Sequence, residues 1–234
     1  KNEKKENIER IILTASGGPF LKKKNKYIYN VKPRFALKHP NWKMGKKISI
    51  DSATMMNKVF EIIEAKNIFN LSVSKLKILI HTDSYLHAIV KFYNGLSYMV
   101  IHDTSMKIPI FNTLYENKKF YQNSNNIDLS KLSHLNLKIP DPKKFPLIKV
   151  LKKIQSKSTL YETLIVSIND TLVDLFLKNK IGFNQISKIF FSTINDQQFL
   201  KYKSITPKNI DEIIKIKNIV QKKIKSRYIW NRNV

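Results

Sequence analysis

The sequence contains no cysteine. That excludes a disulfide framework, a thiolate metal centre and a cysteine nucleophile. It holds only five glycines, none of them in a G-x-G-x-x-G arrangement, so it carries no glycine-rich dinucleotide loop. Only four of its 43 basic residues are arginine (Arg10, Arg34, Arg227 and Arg232), and acidic residues number just 17. No apolar run approaches the ~18 residues that a membrane-crossing helix needs. The first ten residues, KNEKKENIER, have no apolar stretch behind a basic start, so no secretory leader is expected. Residue 1 is lysine, which points to a processed chain or to a piece of a longer one.

What remains is a chain of 234 residues, 42% hydrophobic, with a formal net charge of +26. The length suffices for a substantial core, and the apolar content excludes a wholly disordered chain. A charge of this size normally points to nucleic acid or an anionic membrane. Dedicated nucleic-acid readers, however, lean on arginine, whose planar fork grips phosphate and guanine in two places. Here the cations are lysines scattered along the chain. The charge therefore reads as compositional drift, with non-specific attraction to polyanions at low salt. Neither a specific nucleic-acid partner nor a membrane is expected.

Residues 11–16, IILTAS, read as a buried strand running into a turn at Gly17-Gly18-Pro19. A connector over 21–31 and a helical turn at 35–37 precede loop chemistry at His39-Pro40-Asn41-Trp42. Residues 47–50 read as a second strand ending at Asp51-Ser52, good N-cap residues. They would open a helix over 53–69, in which Met56, Val59, Phe60 and Ile63 form an i, i+3, i+4, i+7 stripe. Residues 78–81 read as a third strand. Asn94-Gly95 between two apolar runs predicts a hairpin with positive φ at both turn positions. Residues 116–126 are polar and loop-like, and Pro140, Pro142 and Pro146 punctuate a linker. Helical patterns follow at 147–155, 160–177, 186–194 and 207–228, with Pro207 in the first turn of the last. The predicted fold class is α+β: a mixed sheet with flanking helices (residues 1–115), a linker (116–146) and a small C-terminal α-helical bundle (147–234).

Ser16-Gly17-Gly18 at a strand end lets backbone N–H groups approach an anion. Asp51-Ser52 at a helix start adds the positive end of the helix dipole. Asn57 and Lys58 lie one turn further on, so two hydroxyls, an amide and an ammonium could converge on a phosphomonoester. Each charge-assisted hydrogen bond there is worth about 1.5–3 kcal/mol. Ser16 and Ser52 also fit plain turn and cap duty. Glu61, at i+4 from Asn57 and i+3 from Lys58, shares their helix flank. A lone carboxylate is not a magnesium site, because hard cations take several oxygens. His39, Trp42 and Met44 occupy a loop able to close over a ligand and exclude water.

The strings ASGGPF (residues 15–20), HPNWKMGKKISIDSATMMNK (39–58), EIIEA (61–65), LIH..S..HAIV (79–90), MKIPI (106–110) and PDPKKFP (140–146) closely resemble the 1-deoxy-D-xylulose 5-phosphate reductoisomerase family. The match is dense in the front half and loose in the helical half. The resemblance implies rearrangement and reduction of 1-deoxy-D-xylulose 5-phosphate to 2-C-methyl-D-erythritol 4-phosphate. It implies NADPH, a divalent cation (manganese or magnesium) and a place in non-mevalonate isoprenoid biosynthesis. It assigns Ser16, Ser52, Asn57 and Lys58 to the substrate phosphate. Glu61 would be a metal ligand with a catalytic role, and His39 a substrate-binding and catalytic lid residue beside Trp42. Ala15, Met44 and Met106 would lie against the cofactor, and Ser84 and His87 form a strand-end pair. The resemblance further suggests a homodimer in the cytoplasm of a bacterium or in a plastid-type organelle.

The family's NADPH-binding domain, its catalytic lysine and two further acidic metal ligands belong upstream of residue 1. The chain by itself is therefore expected to be inactive. Within the matching part, Leu21 stands where the family has arginine, and Thr82-Asp83 where it has Pro-Gln. Val59 replaces a glycine, adding bulk to a face expected to meet ligand. VSIND (residues 166–170) replaces an N-A-A-N-E string, keeping Asn169 and shortening the acid to Asp170. The competing readings are an inactive phosphate-binding remnant and a basic nucleic-acid-binding module.

Overall fold

The computed structural model describes residues 7–38, 44–115 and 129–229. The apolar run near the N-terminus becomes β1 (Ile8–Ala15), the central strand of a five-stranded mixed sheet. The expected third strand is β2 (Leu76–His81), and it lies parallel to β1. A parallel neighbour requires a crossover, and four helices supply it: α1 (Asn25–Tyr29), α2 (Pro33–Ala36), α3 (Lys46–Ala53) and α4 (Met56–Phe69). On the other side of β1 lie β3 (Leu86–Phe92) and then β4 (Ser97–Ile101), both antiparallel to their neighbours. A short β5 (Leu137–Lys138) pairs with the outer edge of β2, and α5 (Lys107–Leu114) follows β4.

The β3–β4 connection departs from expectation. Only Gly95 has positive φ (+86°), and the Gly95 N–H donates to the Phe92 carbonyl at 3.1 Å. This is a turn closed by a left-handed glycine rather than a two-residue loop with both positions left-handed.

The larger departure is at residues 46–53. The expected strand over 47–50 is helix α3, so Asp51 and Ser52 sit in its last turn and cap nothing. Thr54 ends it, its hydroxyl donating to the Ile50 carbonyl at 3.1 Å. Met55 then takes a left-handed backbone (φ 66°), and α4 starts only at Met56. Residues Lys47-Ile48-Ser49-Ile50 alternate like a strand, but tertiary contact overrides the pattern. Ser49, Ile50, Asp51 and Ala53 are all buried, and Lys47 closes an i, i+4 bond to Asp51 at 2.8 Å.

Helix α4 is apolar on two sides. Met55, Ile62 and Ala65 pack with Ile11, Leu76, Ile78 and Ile80 of the sheet. Met56, Val59 and Ile63 face the helical half instead. Val59 is thus a core residue with no exposed surface, not a residue on a ligand-touching face as expected. Asn70, left-handed at φ 48°, ends the helix.

The remaining elements are α6 (Leu160–Leu177), α7 (Phe183–Ile194), α8 (Gln197–Leu200) and α9 (Ile210–Ile229). Thirteen of the eighteen residues of α6 are buried, which makes it the central helix of this half. The Thr159 hydroxyl caps it, accepting from the Tyr161 N–H at 3.3 Å. The segment Pro146–Lys153 is a 3-10 helix where an α-helix over 147–155 was expected. Pro207 lies before α9 rather than in its first turn, where the Asn209 side chain accepts from the Glu212 N–H at 3.0 Å. One hydrophobic cluster joins Phe20, Ile50, Val59 and Ile63 to Leu164, Ile168, Phe176, Phe190 and Val220. At about 1.5–3 kcal/mol for each large side chain buried, this cluster binds α3 and α4 firmly to the bundle. The polar stretch 116–126 lies outside the described residues. Among the described residues no helix is long and apolar enough to cross a membrane.

Candidate active site

A cleft of about 540 Å³ opens where β1 ends, α3 ends and α4 begins. Its floor is the turn after β1. Ser16 accepts from the Gly18 N–H at 3.2 Å through its hydroxyl. Gly18 has φ +67°, and a Cβ there would stand 2.8 Å from the Ser52 carbonyl oxygen. Only glycine allows so close an approach, and that contact brings Ser16 and Ser52 to the same cleft.

The α4 wall contributes Asn57, Lys58 and Glu61. No acidic residue stands in the first turn of α4, and its N-cap residue Met55 makes no side-chain cap; the Thr54 hydroxyl accepts from the Met56 N–H at 3.4 Å. With no carboxylate at that end, the positive pole of the helix faces the cleft. The Glu61 carboxylate accepts from the Asn57 amide at 2.7 Å and from the Lys58 ammonium at 2.7 Å. The pair is partly shielded, with side-chain exposures of 14% for Lys58 and 33% for Glu61. Two of the cleft's best anion donors thus already hold an anion supplied by the protein.

The cleft also takes in Ala15, Met44 and Met106, the residues that the resemblance places against the cofactor, and both Ser84 and His87. His87 stacks on His102, the ring centroids 3.5 Å apart and the planes 13° from parallel. Its Nε2 lies 3.0 Å from the His102 carbonyl oxygen. Burial pushes the His87 imidazole down to about 4; the bond to the His102 carbonyl opposes the shift, and the charges of His102 and Lys58 add to it. The ring is neutral at pH 7. His39 and Trp42 lie outside the described residues.

The sequence reading missed Thr14, Ile48, Glu64 and Leu86, which also line the cleft. Glu64 follows Glu61 by three residues, and that spacing could have revealed it. The donor set does not make a metal centre unaided. Among the described residues no group of three or more His, Asp or Glu could hold a metal ion. A hard cation takes about six oxygens, and Glu61 offers one carboxylate. A second, smaller cavity of about 190 Å³ between α1, α7 and Pro146 contains none of these groups.

Fold and cleft together define an α+β protein with a polar cleft at the ends of β1 and α3 and the start of α4. Comparison with known proteins gives the class a family. The 1-deoxy-D-xylulose 5-phosphate reductoisomerase C-terminal domain matches residues 1–69, and the DXP reductoisomerase C-terminal domain matches residues 102–223. The chain belongs to the 1-deoxy-D-xylulose 5-phosphate reductoisomerase family. A reductoisomerase of Pelagibacter ubique is 56% identical over 225 residues, covering 96% of this chain and 58% of that protein. One from Sulfurihydrogenibium is 38% identical, covering 88% of this chain and 55% of its own length. Among solved structures, a DOX-P reductoisomerase in complex with NADPH, fosmidomycin and magnesium superposes with a TM-score of 0.89 at 30% identity. That match covers 97% of this chain and 56% of the other. The Zymomonas mobilis enzyme in complex with NADPH gives a TM-score of 0.81 at 33% identity, covering 93% and 55%. The chain spans little more than half the length of these relatives.

Proposed function

We propose that this chain is the catalytic and C-terminal part of a 1-deoxy-D-xylulose 5-phosphate reductoisomerase. The observation that carries the proposal is the convergence of Ser16, Ser52, Asn57, Lys58 and Glu61 on one cleft at the positive end of α4. The substrate phosphate occupies that end. The Lys58 ammonium and Asn57 amide turn from Glu61 to the incoming dianion, and the Ser16 and Ser52 hydroxyls supply further donors. Binding the non-reacting phosphate in this way orients the sugar carbons along the cleft. Glu61, released by its neighbours, serves as one ligand of a divalent cation whose other donors lie outside the described residues. NADPH, when bound by the rest of the enzyme, supplies the hydride for the reduction. Ala15, Met44 and Met106 give the apolar surface beside it, and His39 and Trp42 belong to the lid.

The division into residues 1–115, 116–146 and 147–234 is part of this proposal. So are a cytoplasmic location and a homodimer. The dimer is supported by the outer strand β4, where Tyr98, Met99 and Val100 are half exposed; such an edge invites pairing.

The test joins this chain to the N-terminal part of the Pelagibacter ubique relative and follows NADPH consumption with 1-deoxy-D-xylulose 5-phosphate. Substrate-dependent consumption that Glu61→Gln abolishes supports the proposal. A chimera that binds the sugar phosphate and never consumes NADPH makes the chain a binding remnant.

A further inference from the structure

Asp51 occupies an unfavourable position. It is 1% exposed and lies in the last turn of α3, where the helix dipole opposes a negative charge. Burial pushes its carboxyl above the usual range, while Lys47 and Asn169 pull it back. Both of its oxygens are held. Oδ2 accepts from the Lys47 ammonium at 2.8 Å, and Oδ1 accepts from the Asn169 amide at 2.7 Å. Asn169 is itself fully buried, in the middle of α6. Lys47 also reaches Asp170 of α6 at 3.0 Å and lies 5.1 Å from the Phe60 ring centroid. Asp51 precedes Ser52, and the Ser52 carbonyl is the group on which Gly18 packs.

We infer that Asp51 and Asn169 are positioning residues, through which the helical bundle fixes Ser52 and the Ser16 turn at the phosphate end of the cleft. The inference rests on the phosphate reading given above. A well-packed apolar pair would hold α3 to α6 at least as strongly as a buried charge. The carboxylate–amide bond adds direction: it sets the rotation of the last turn of α3, and therefore where Ser52 and the left-handed Met55 point. Neither side chain lines the cleft, so their effect on ligand binding passes through Ser52 and Gly18.

The test measures inorganic phosphate affinity of the 234-residue chain by 31P NMR at a temperature well below its melting transition. Asn169→Asp sets two carboxylates face to face and is expected to weaken phosphate binding about tenfold, the scale of one charge-assisted hydrogen bond. The exchanged pair, Asp51→Asn with Asn169→Asp, restores an amide–carboxylate bond and is expected to return the affinity to within about threefold of the parent. A merely structural role would lower the melting temperature of each variant and leave phosphate affinity unchanged; that result overturns the inference. If Asn169→Asp does not fold, the exchanged pair decides: a pair that folds yet stays tenfold weak also overturns the inference. A parent chain that binds no phosphate sinks the phosphate reading itself, and the inference with it.

Discussion

Replacing Glu61 with glutamine removes the protein's own anion from the best donors in the cleft. In the structure its carboxylate holds the Asn57 amide and the Lys58 ammonium, each at 2.7 Å. A phosphate that takes those donors must displace Glu61 from them. The Lys58–Glu61 pair is partly shielded, with exposures of 14% and 33%, so its strength lies at the upper end for a surface pair, about 1 kcal/mol. Glutamine keeps the shape and gives up the charge. Glu61→Gln is therefore expected to tighten inorganic phosphate binding by about fivefold, the equivalent of that ~1 kcal/mol. Lys58→Met, which deletes the cationic donor, is expected to weaken it by at least about tenfold. The assay is a calorimetric or 31P NMR titration of the chain with phosphate at low salt, since added salt screens the effect. If Glu61→Gln weakens binding as much as Lys58→Met does, Glu61 supports the anion instead of competing with it, and the reasoning fails.

Gly18→Ala should destabilise the fold by about 1–3 kcal/mol, because a left-handed backbone meets a Cβ placed against the Ser52 carbonyl; thermal melting checks this, and an unchanged melting temperature contradicts it. The buried Lys66–Glu162 pair ties α4 to α6. Lys66→Met should cost about 3–5 kcal/mol by stranding the carboxylate, while Lys66→Met with Glu162→Leu should recover much of the loss; denaturant melts of both variants decide. His87 titrates lower in the folded chain than in the unfolded one. Between the ordinary histidine range and about 4 the unfolded chain binds the extra proton, so stability present at neutral pH is lost as the pH falls through that window. Melting temperatures of the parent and His87→Gln chains across that range should converge toward the acid end, and parallel curves would contradict the assignment.

The elements that sequence periodicity revealed are those whose burial follows their own pattern. Strand β1, strand β2, the body of α4 and the whole of α6 were legible because apolar spacing and burial coincide there. Helix α3 was not. Its alternating Lys47-Ile48-Ser49-Ile50 reads as a strand, and it is helical because Lys47 reaches Asp51 and Ile50 enters the core shared with α6. The same long-range packing moved Ser52 from a helix start to a helix end, and it placed Val59 in the core rather than at the cleft. The residues proposed for the phosphate were nonetheless legible, because a turn at Gly17-Gly18 and the spacing of Asn57, Lys58 and Glu61 survive that error. The Asp51–Asn169 bond links residues 118 positions apart, and no local pattern reveals it.

The most direct trial of the whole account is a crystal structure of the chain with 1-deoxy-D-xylulose 5-phosphate. The account predicts the phosphate at the start of α4, within hydrogen-bond reach of Lys58, Asn57 and the Ser16 and Ser52 hydroxyls, with Glu61 released from Lys58. A phosphate seated elsewhere, with Lys58 still paired to Glu61, would contradict it.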